Sequence, residues 1–243
     1  MSGHSKWHNI KHTKGKKDKQ RSKLFGKLSS QISNAVKKGG ADPDKNNDLQ
    51  FAIEKAKENN MPKDTIQRAI KRGTGELGGK KSMQVIYEGF GPGDVGVVIE
   101  TVTDNKNRTV ANLRKIFSKH GGNLGEKNSV LWKFEQKGYF EILKQELKNK
   151  NIDQDDFELS IIDAGVQDIK ENEDTIEIYT DPKSFNSIKE EIEKQGLKIS
   201  DRDLGWFAKT PKKINEKEEE KLISFMEELE DQDEVDEIYT NLE

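Results

Sequence analysis

A 243-residue chain without cysteine has no disulfide framework, no thiolate nucleophile and no cysteine-based zinc site. At 36 % charged and 31 % hydrophobic residues, it suits two or three small, highly solvated domains better than one large globule, and no apolar run approaches membrane-spanning length. Charge is divided steeply: residues 1–40 hold eleven lysines and arginines against one acid, Asp18, a net +10 in a chain of net −3, which leaves −13 for residues 41–243. One end is therefore expected to meet a polyanion while the rest stays off it.

Residues 1–15 hold one aromatic, Trp7, with His4, His8 and His12, and show no sustained periodicity. They read as a flexible basic arm. No apolar segment follows the positive charge, so this is not a secretory signal, and a cytoplasmic location is expected. From Lys16 a helical period begins, with Leu24, Phe25, Leu28, Ile32, Ala35 and Val36 on one face. Gly39-Gly40 stops it. Asp42-Pro43 predicts the start of a second helix, with Asp42 as N-cap and Leu49, Ala52, Ile53 and Ala56 inward. Pro62 opens a third, with Ile66, Ala69 and Ile70 inward and Gly73 as its stop. Residues 16–73 are thus expected to form a three-helix domain.

The glycine-rich stretch 74–81 reads as a linker. Beyond it, 83–87 and 95–102 read as strands joined by a turn at 89–94, followed by a helix over 106–119 and a strand over 130–134. Residues 139–208 follow the order βαββαβ, the ferredoxin-like plan. An acidic helix from Asn215 to about Asp231 and a last strand over 235–239 close the chain. The middle region lacks one helix and one strand, and the C-terminus supplies them. Insertion reconciles the two: an α+β domain of 82–135 plus 212–243, interrupted by a ferredoxin-like domain over 137–209. The fold class is α+β.

The stretches at 3–16 (GHSKWHNIKHTKGK), 52–76 (AIEKAKENNMPKDTIQRAIKRGTGE), 87–109 (YEGFGPGDVGVVIETVTDNKNRT), 117–126 (FSKHGGNLGE) and 238–242 (IYTNL) resemble the YebC family, which includes the mitochondrial translational activator of cytochrome c oxidase. The resemblance runs end to end. It implies the same three-domain plan and a non-enzymatic regulator. Members are described as DNA-binding transcriptional regulators, and also as ribosome-associated factors that assist translation.

The residues themselves favour nucleic acid. Trp7 amid Lys6, His8, Lys11 and His12 places a stacking face among cations, and Lys14, Lys16, Lys17, Lys19, Arg21, Lys23 and Lys27 extend the charge. The i, i+4, i+8 spacing of the histidines would align them for a metal, but surrounding lysines repel a dication and no metal is assigned. On the third helix Lys63, Gln67 and Lys71 share an outer face with Arg68 and Arg72 at its margin, a candidate base-reading helix in a helix-turn-helix arrangement. Of these only Gln67 and Arg68 are well suited to base edges. Lys106, Arg108, Lys119 and His120 are candidates for a second polar contact surface. The turn GFGPGD is neither a Walker motif nor a dinucleotide fingerprint, so no cofactor is assigned. With one histidine outside the arm, His120, and no cysteine, a nucleophile–base pair has little material. The expected protein is a non-enzymatic nucleic-acid-binding regulator. DNA in transcription and rRNA within the ribosome stay open as its target, a protein partner is expected through the acidic domains, and no membrane is involved.

Overall fold

The computed structural model describes residues 17–77 and 83–243, residues 17–21 by their backbone alone. Helices α1 (Lys17–Gly39), α2 (Asn47–Glu58) and α3 (Lys63–Thr74) come first. Strands β1 (Met83–Phe90) and β2 (Gly96–Thr103), helix α4 (Lys106–Lys119) and the two-residue strand β3 (Asn123–Leu124) follow. Next are β4 (Phe134–Leu143), α5 (Lys144–Lys150), α6 (Gln154–Asp163), β5 (Val166–Glu171), β6 (Thr175–Thr180), α7 (Phe185–Lys194) and β7 (Ile199–Ala208). Helix α8 (Glu216–Glu230) and strand β8 (Val235–Thr240) end the chain. The fold is α+β, with two compact units. One is built from the chain up to Glu135 together with Trp206–Glu243, the other from Gln136–Gly205.

In the first unit, the 3.6-residue period of α1 buries Leu28, Ile32, Ala35 and Val36 against Leu49, Ala52 and Ala56 of α2, Met61 of the turn, and Ile66 and Ala69 of α3. Of the face that the period predicts, Phe25 packs partly buried against this core, while Leu24 is 37 % exposed. Asp42 does not start α2. It caps a short 3-10 turn over Pro43–Lys45, and Asn46 is the helix N-cap. Asn46 accepts from the Leu49 N–H at 3.1 Å and donates to the Ala35 and Gly40 carbonyls, both at 2.8 Å. An amide side chain can do both; a carboxylate can only accept. Gly73 is likewise not a stop but lies inside α3. A Cβ there would sit 2.6 Å from the Val36 Cβ and 2.7 Å from the Ser33 carbonyl oxygen, so the glycine lets α3 close onto α1. The helix ends instead at Gly75, in the left-handed region at φ 86°.

The sheet of this unit has the order β3-β1-β2-β8, antiparallel throughout. Strand β2 is buried on both faces, as its unbroken Val97-Val98-Ile99 run anticipates. Val97 and Ile99 pack with Leu113, Ile116 and Phe117 of α4 and Leu222, Phe225 and Met226 of α8. Val98 packs on the other face with Val130, Phe134 and Tyr239. The strand expected over 130–134 is not one: Leu131–Lys133 form a 3-10 turn. The buried Glu88 carboxylate accepts the backbone N–H groups of Asn128, Val130 and Leu131 at 2.8, 2.9 and 2.7 Å, so these amides cannot join a ladder. The short β3 takes that place, inside the stretch whose glycines mark the end of α4. Strand β1 runs through Gly89-Phe90, which shortens the turn to 91–95, closed by Gly91 N–H to the Val95 carbonyl at 2.8 Å.

In the second unit the sheet order is β5-β6-β4-β7, the ferredoxin-like arrangement of a βαββαβ set. Phe140 of β4 stacks on Phe185 of α7 at 4.5 Å between ring centroids, and Phe157, Ile161, Ile188 and Ile192 are buried. Helix α5 escapes the period reading because it is seven residues long and buries only Leu147.

Candidate nucleic-acid interface

Helix α3 is short, and its form follows from its sequence. Pro62 sets its entry, Asp64 stands in the first turn where the backbone N–H groups favour an anion, and Lys71 and Arg72 stand in the last turn where carbonyls favour cations. With Ile66 and Ala69 turned inward, Lys63, Gln67, Arg68, Lys71 and Arg72 are all exposed. None of the first four is paired with another described side chain. The α2–turn–α3 segment therefore presents an outer face of three cations and one amide.

Helix α1 uses its cations differently. Lys23 Nζ lies 3.2 Å from the Asp231 carboxylate, and Lys27 Nζ donates to the Glu230 carbonyl at 3.4 Å. Gln31 donates to Glu237 Oε1 at 3.1 Å, and Lys55 of α2 pairs with the same oxygen at 3.0 Å. Behind Glu237 lies Asp236, buried, whose carboxyl is pushed up to about 7 by burial and then by the neighbouring Glu237 and Glu100 carboxylates, against the opposing pull of Lys55 and Lys27. Glu100 is also raised by burial, although the Trp206 indole N–H donates to it at 2.9 Å. The inner side of α1 and α2 thus meets the acidic end of the chain, and Lys23 and Lys27 point to carboxylate and carbonyl rather than outward.

A cleft of about 330 Å³ opens where α1, α3 and the β2–α4 corner meet. Asn34 lines it, 6 % exposed and with its side-chain N–H₂ unpartnered among the described residues, beside Arg72. Across it, Arg108 is held by Asp104 at 2.8 Å and, through Nε, by Glu234 at 2.8 Å. No periodicity marks Asn34 in the sequence, because its role depends on how closely Gly73 brings α3 to α1. Of the four residues expected to form a second polar surface, three are engaged with acids. Besides Arg108, Lys119 Nζ and His120 Nε2 each lie 2.7 Å from Glu228 Oε2 and hold its carboxyl below the usual carboxylate range. They tie α4 to α8.

Lys6, Trp7, His8, Lys11, His12, Lys14 and Lys16 lie outside the described residues, as do His4 and residues 78–81 of the expected linker. Lys17, Lys19 and Arg21 fall on the first turns of α1. Among the described residues no helix is long and apolar enough to cross a membrane.

Residues 5–76 match the family model of the TACO1/YebC protein N-terminal domain, and residues 82–242 that of the TACO1/YebC second and third domain. A protein named "Probable transcriptional regulatory protein" from Halothermothrix orenii is 45 % identical over 244 residues, covering 100 % of this chain and 95 % of its own. One of the same name from Thermotoga petrophila is 45 % identical over 243 residues, covering 100 % and 94 %. The crystal structure of the conserved hypothetical protein Aq1575 from Aquifex aeolicus matches at 40 % identity with a TM-score of 0.79, over 96 % of this chain and 95 % of that one.

Proposed function

The chain belongs to the TACO1/YebC family, and we propose that it is a non-enzymatic regulator of gene expression that binds nucleic acid through its N-terminal arm and the outer face of α3. The observation that carries this reading is the exposed set Lys63, Gln67, Arg68 and Lys71, unpaired among the described residues, whereas Lys23, Lys55, Arg108 and Lys119 face the chain's own acids. Lysines at i and i+8 on one helix face reach phosphates about 12 Å apart along the axis, and Gln67 and Arg68 between them carry the donors that read base edges. The arm's lysines add a sequence-independent attraction. The relatives' names support transcription, and hence DNA, as the setting.

A second reading takes folded rRNA as the target. It is favoured by the arm, where Trp7 stands among lysines and histidines, and by the scarcity of base-reading side chains on α3. Sedimentation of cell lysate through a low-salt sucrose gradient separates the two. Migration at the top with DNA-dependent retention supports the transcriptional setting; co-migration with ribosomal subunits replaces it with the translational one. Failure of the purified chain to bind either polymer at low salt would remove both.

A further inference from the structure

Trp132 is the most exposed of the described large apolar side chains, at 65 %, and it is not loosely placed. Its loop is fixed from beneath by Glu88, a buried carboxylate that accepts three backbone N–H groups, those of Asn128, Val130 and Leu131. Val130 is fully buried and anchors the loop to the sheet. The indole N–H donates to the Ser129 carbonyl at 3.2 Å, which fixes the ring's direction. Lys133 Nζ lies 5.4 Å from the Trp132 ring centroid and 5.1 Å from that of Phe90. A carboxylate, an anchor residue and an indole hydrogen bond all act to hold a ring that remains largely in solvent.

Burying the ring in the core would stabilise the chain more than exposing it, so the rigid display needs another account. We infer that Trp132 is a stacking platform for an unpaired nucleobase, with Lys133 and its neighbours Lys127 and Lys209 taking the adjoining phosphates. Lys209 is placed there by its backbone N–H, which donates to the Lys133 carbonyl at 2.8 Å, and Lys127 is exposed on the same loop. The chemistry favours a base over a protein surface. A protein hot spot centres on an aromatic ringed by apolar contacts that exclude water. Among the described residues of the loop 125–134 no second large apolar side chain is exposed, whereas a planar base needs only one ring face and nearby cations. Because loop and ring are already ordered, little conformational entropy is given up on binding. Glu126, exposed on the same loop, is the opposing charge that a phosphate has to avoid. The inference rests on the nucleic-acid reading above and adds to it a contact on the acidic part of the chain.

The test uses the full chain with fluorescently labelled 12-nucleotide single strands of RNA and of DNA, and with a duplex of the same sequence. Trp132→Ala is expected to weaken single-strand binding at least about fivefold, with Trp132→Phe within about twofold of the parent and duplex affinity unchanged. The two single strands decide whether RNA or DNA supplies the base. As a second readout, 5-fluorotryptophan gives separate fluorine resonances for Trp7, Trp132 and Trp206. The Trp132 signal, assigned by its disappearance in Trp132→Phe, should shift on adding single strand while that of Trp206 stays. If the parent binds single strands but Trp132→Ala binds them equally and the resonance does not move, the inference is overturned and the wider reading stands. If the parent binds none of the three polymers, both fall.

Discussion

Helices α1 and α3 are both rich in lysine, yet they hold their charge in different circumstances. On α1 and its partner α2, Lys23, Lys27 and Lys55 meet Asp231, the Glu230 carbonyl and Glu237. On α3, Lys63, Arg68 and Lys71 meet solvent. Counting charge along a sequence ranks α1 first, since residues 1–40 carry +10. The structure favours α3 over the Lys23–Lys27 stretch of α1, because a cation already facing an acid or a carbonyl gains less from a phosphate. A basic segment therefore presents a polyanion surface only where the fold leaves it unneutralised. The acidic end of this chain does more than carry the opposite sign: part of it seats the helical domain.

The seat of α3 on α1 is most vulnerable at Gly73. Gly73→Ala forces a methyl group into the Val36 Cβ and the Ser33 carbonyl, and overpacking of this kind costs about 1–3 kcal/mol. Chemical denaturation should show that decrease. Nucleic-acid affinity should fall with it although no charge is removed, because α3 no longer sits squarely on α1. Unchanged stability would mean that α3 does not press on α1 at this glycine.

A smaller effect comes from Asp236 beneath the α1–β8 contact. Its native pKa of about 7 lies above the ordinary 3.8, so between those values the native chain holds a proton that the unfolded chain has released. Stability contributed this way is present at low pH and is lost as pH rises through that window. Denaturation at pH 5 and pH 8 should give a parent whose stability falls by on the order of 2 kcal/mol more than that of Asp236→Asn. Equal slopes would show that the carboxyl titrates normally. Smallest of all is Lys23→Ala. Its exposed pair with Asp231 is worth at most about 1 kcal/mol, and thermal unfolding should barely shift.

Much of the fold was legible from spacing. The three helices, the strand over 95–102 and the ferredoxin-like order were all readable from the pattern of apolar residues. What escaped shares a cause: long-range partners that no local pattern reveals. Glu88 draws in the amides of Asn128, Val130 and Leu131, and so the apolar stretch that follows Ser129 is a braced turn rather than a strand. Asn46 displaces Asp42 as helix cap because it also reaches Ala35 and Gly40. Gly73 is a point of close approach rather than a terminator because Val36 lies against it. The candidate surface was half legible. Residues 63–71 announce an outer face by their spacing, but that Arg108, Lys119 and His120 are occupied depends on Glu234 and Glu228, more than a hundred positions away.

The most direct test is the salt dependence of binding to one nucleic acid, measured for the parent, Lys63→Ala/Lys71→Ala and Lys23→Ala/Lys27→Ala. Removing a single lysine–phosphate pairing lowers the slope of log K against log salt by about 0.9 for duplex DNA and about 0.7 for a single strand. A slope shallower by nearly twice that amount is expected for the α3 pair and one close to the parent's for the α1 pair. The reverse order, with the α1 pair flattening the slope and the α3 pair leaving it unchanged, would contradict this expectation.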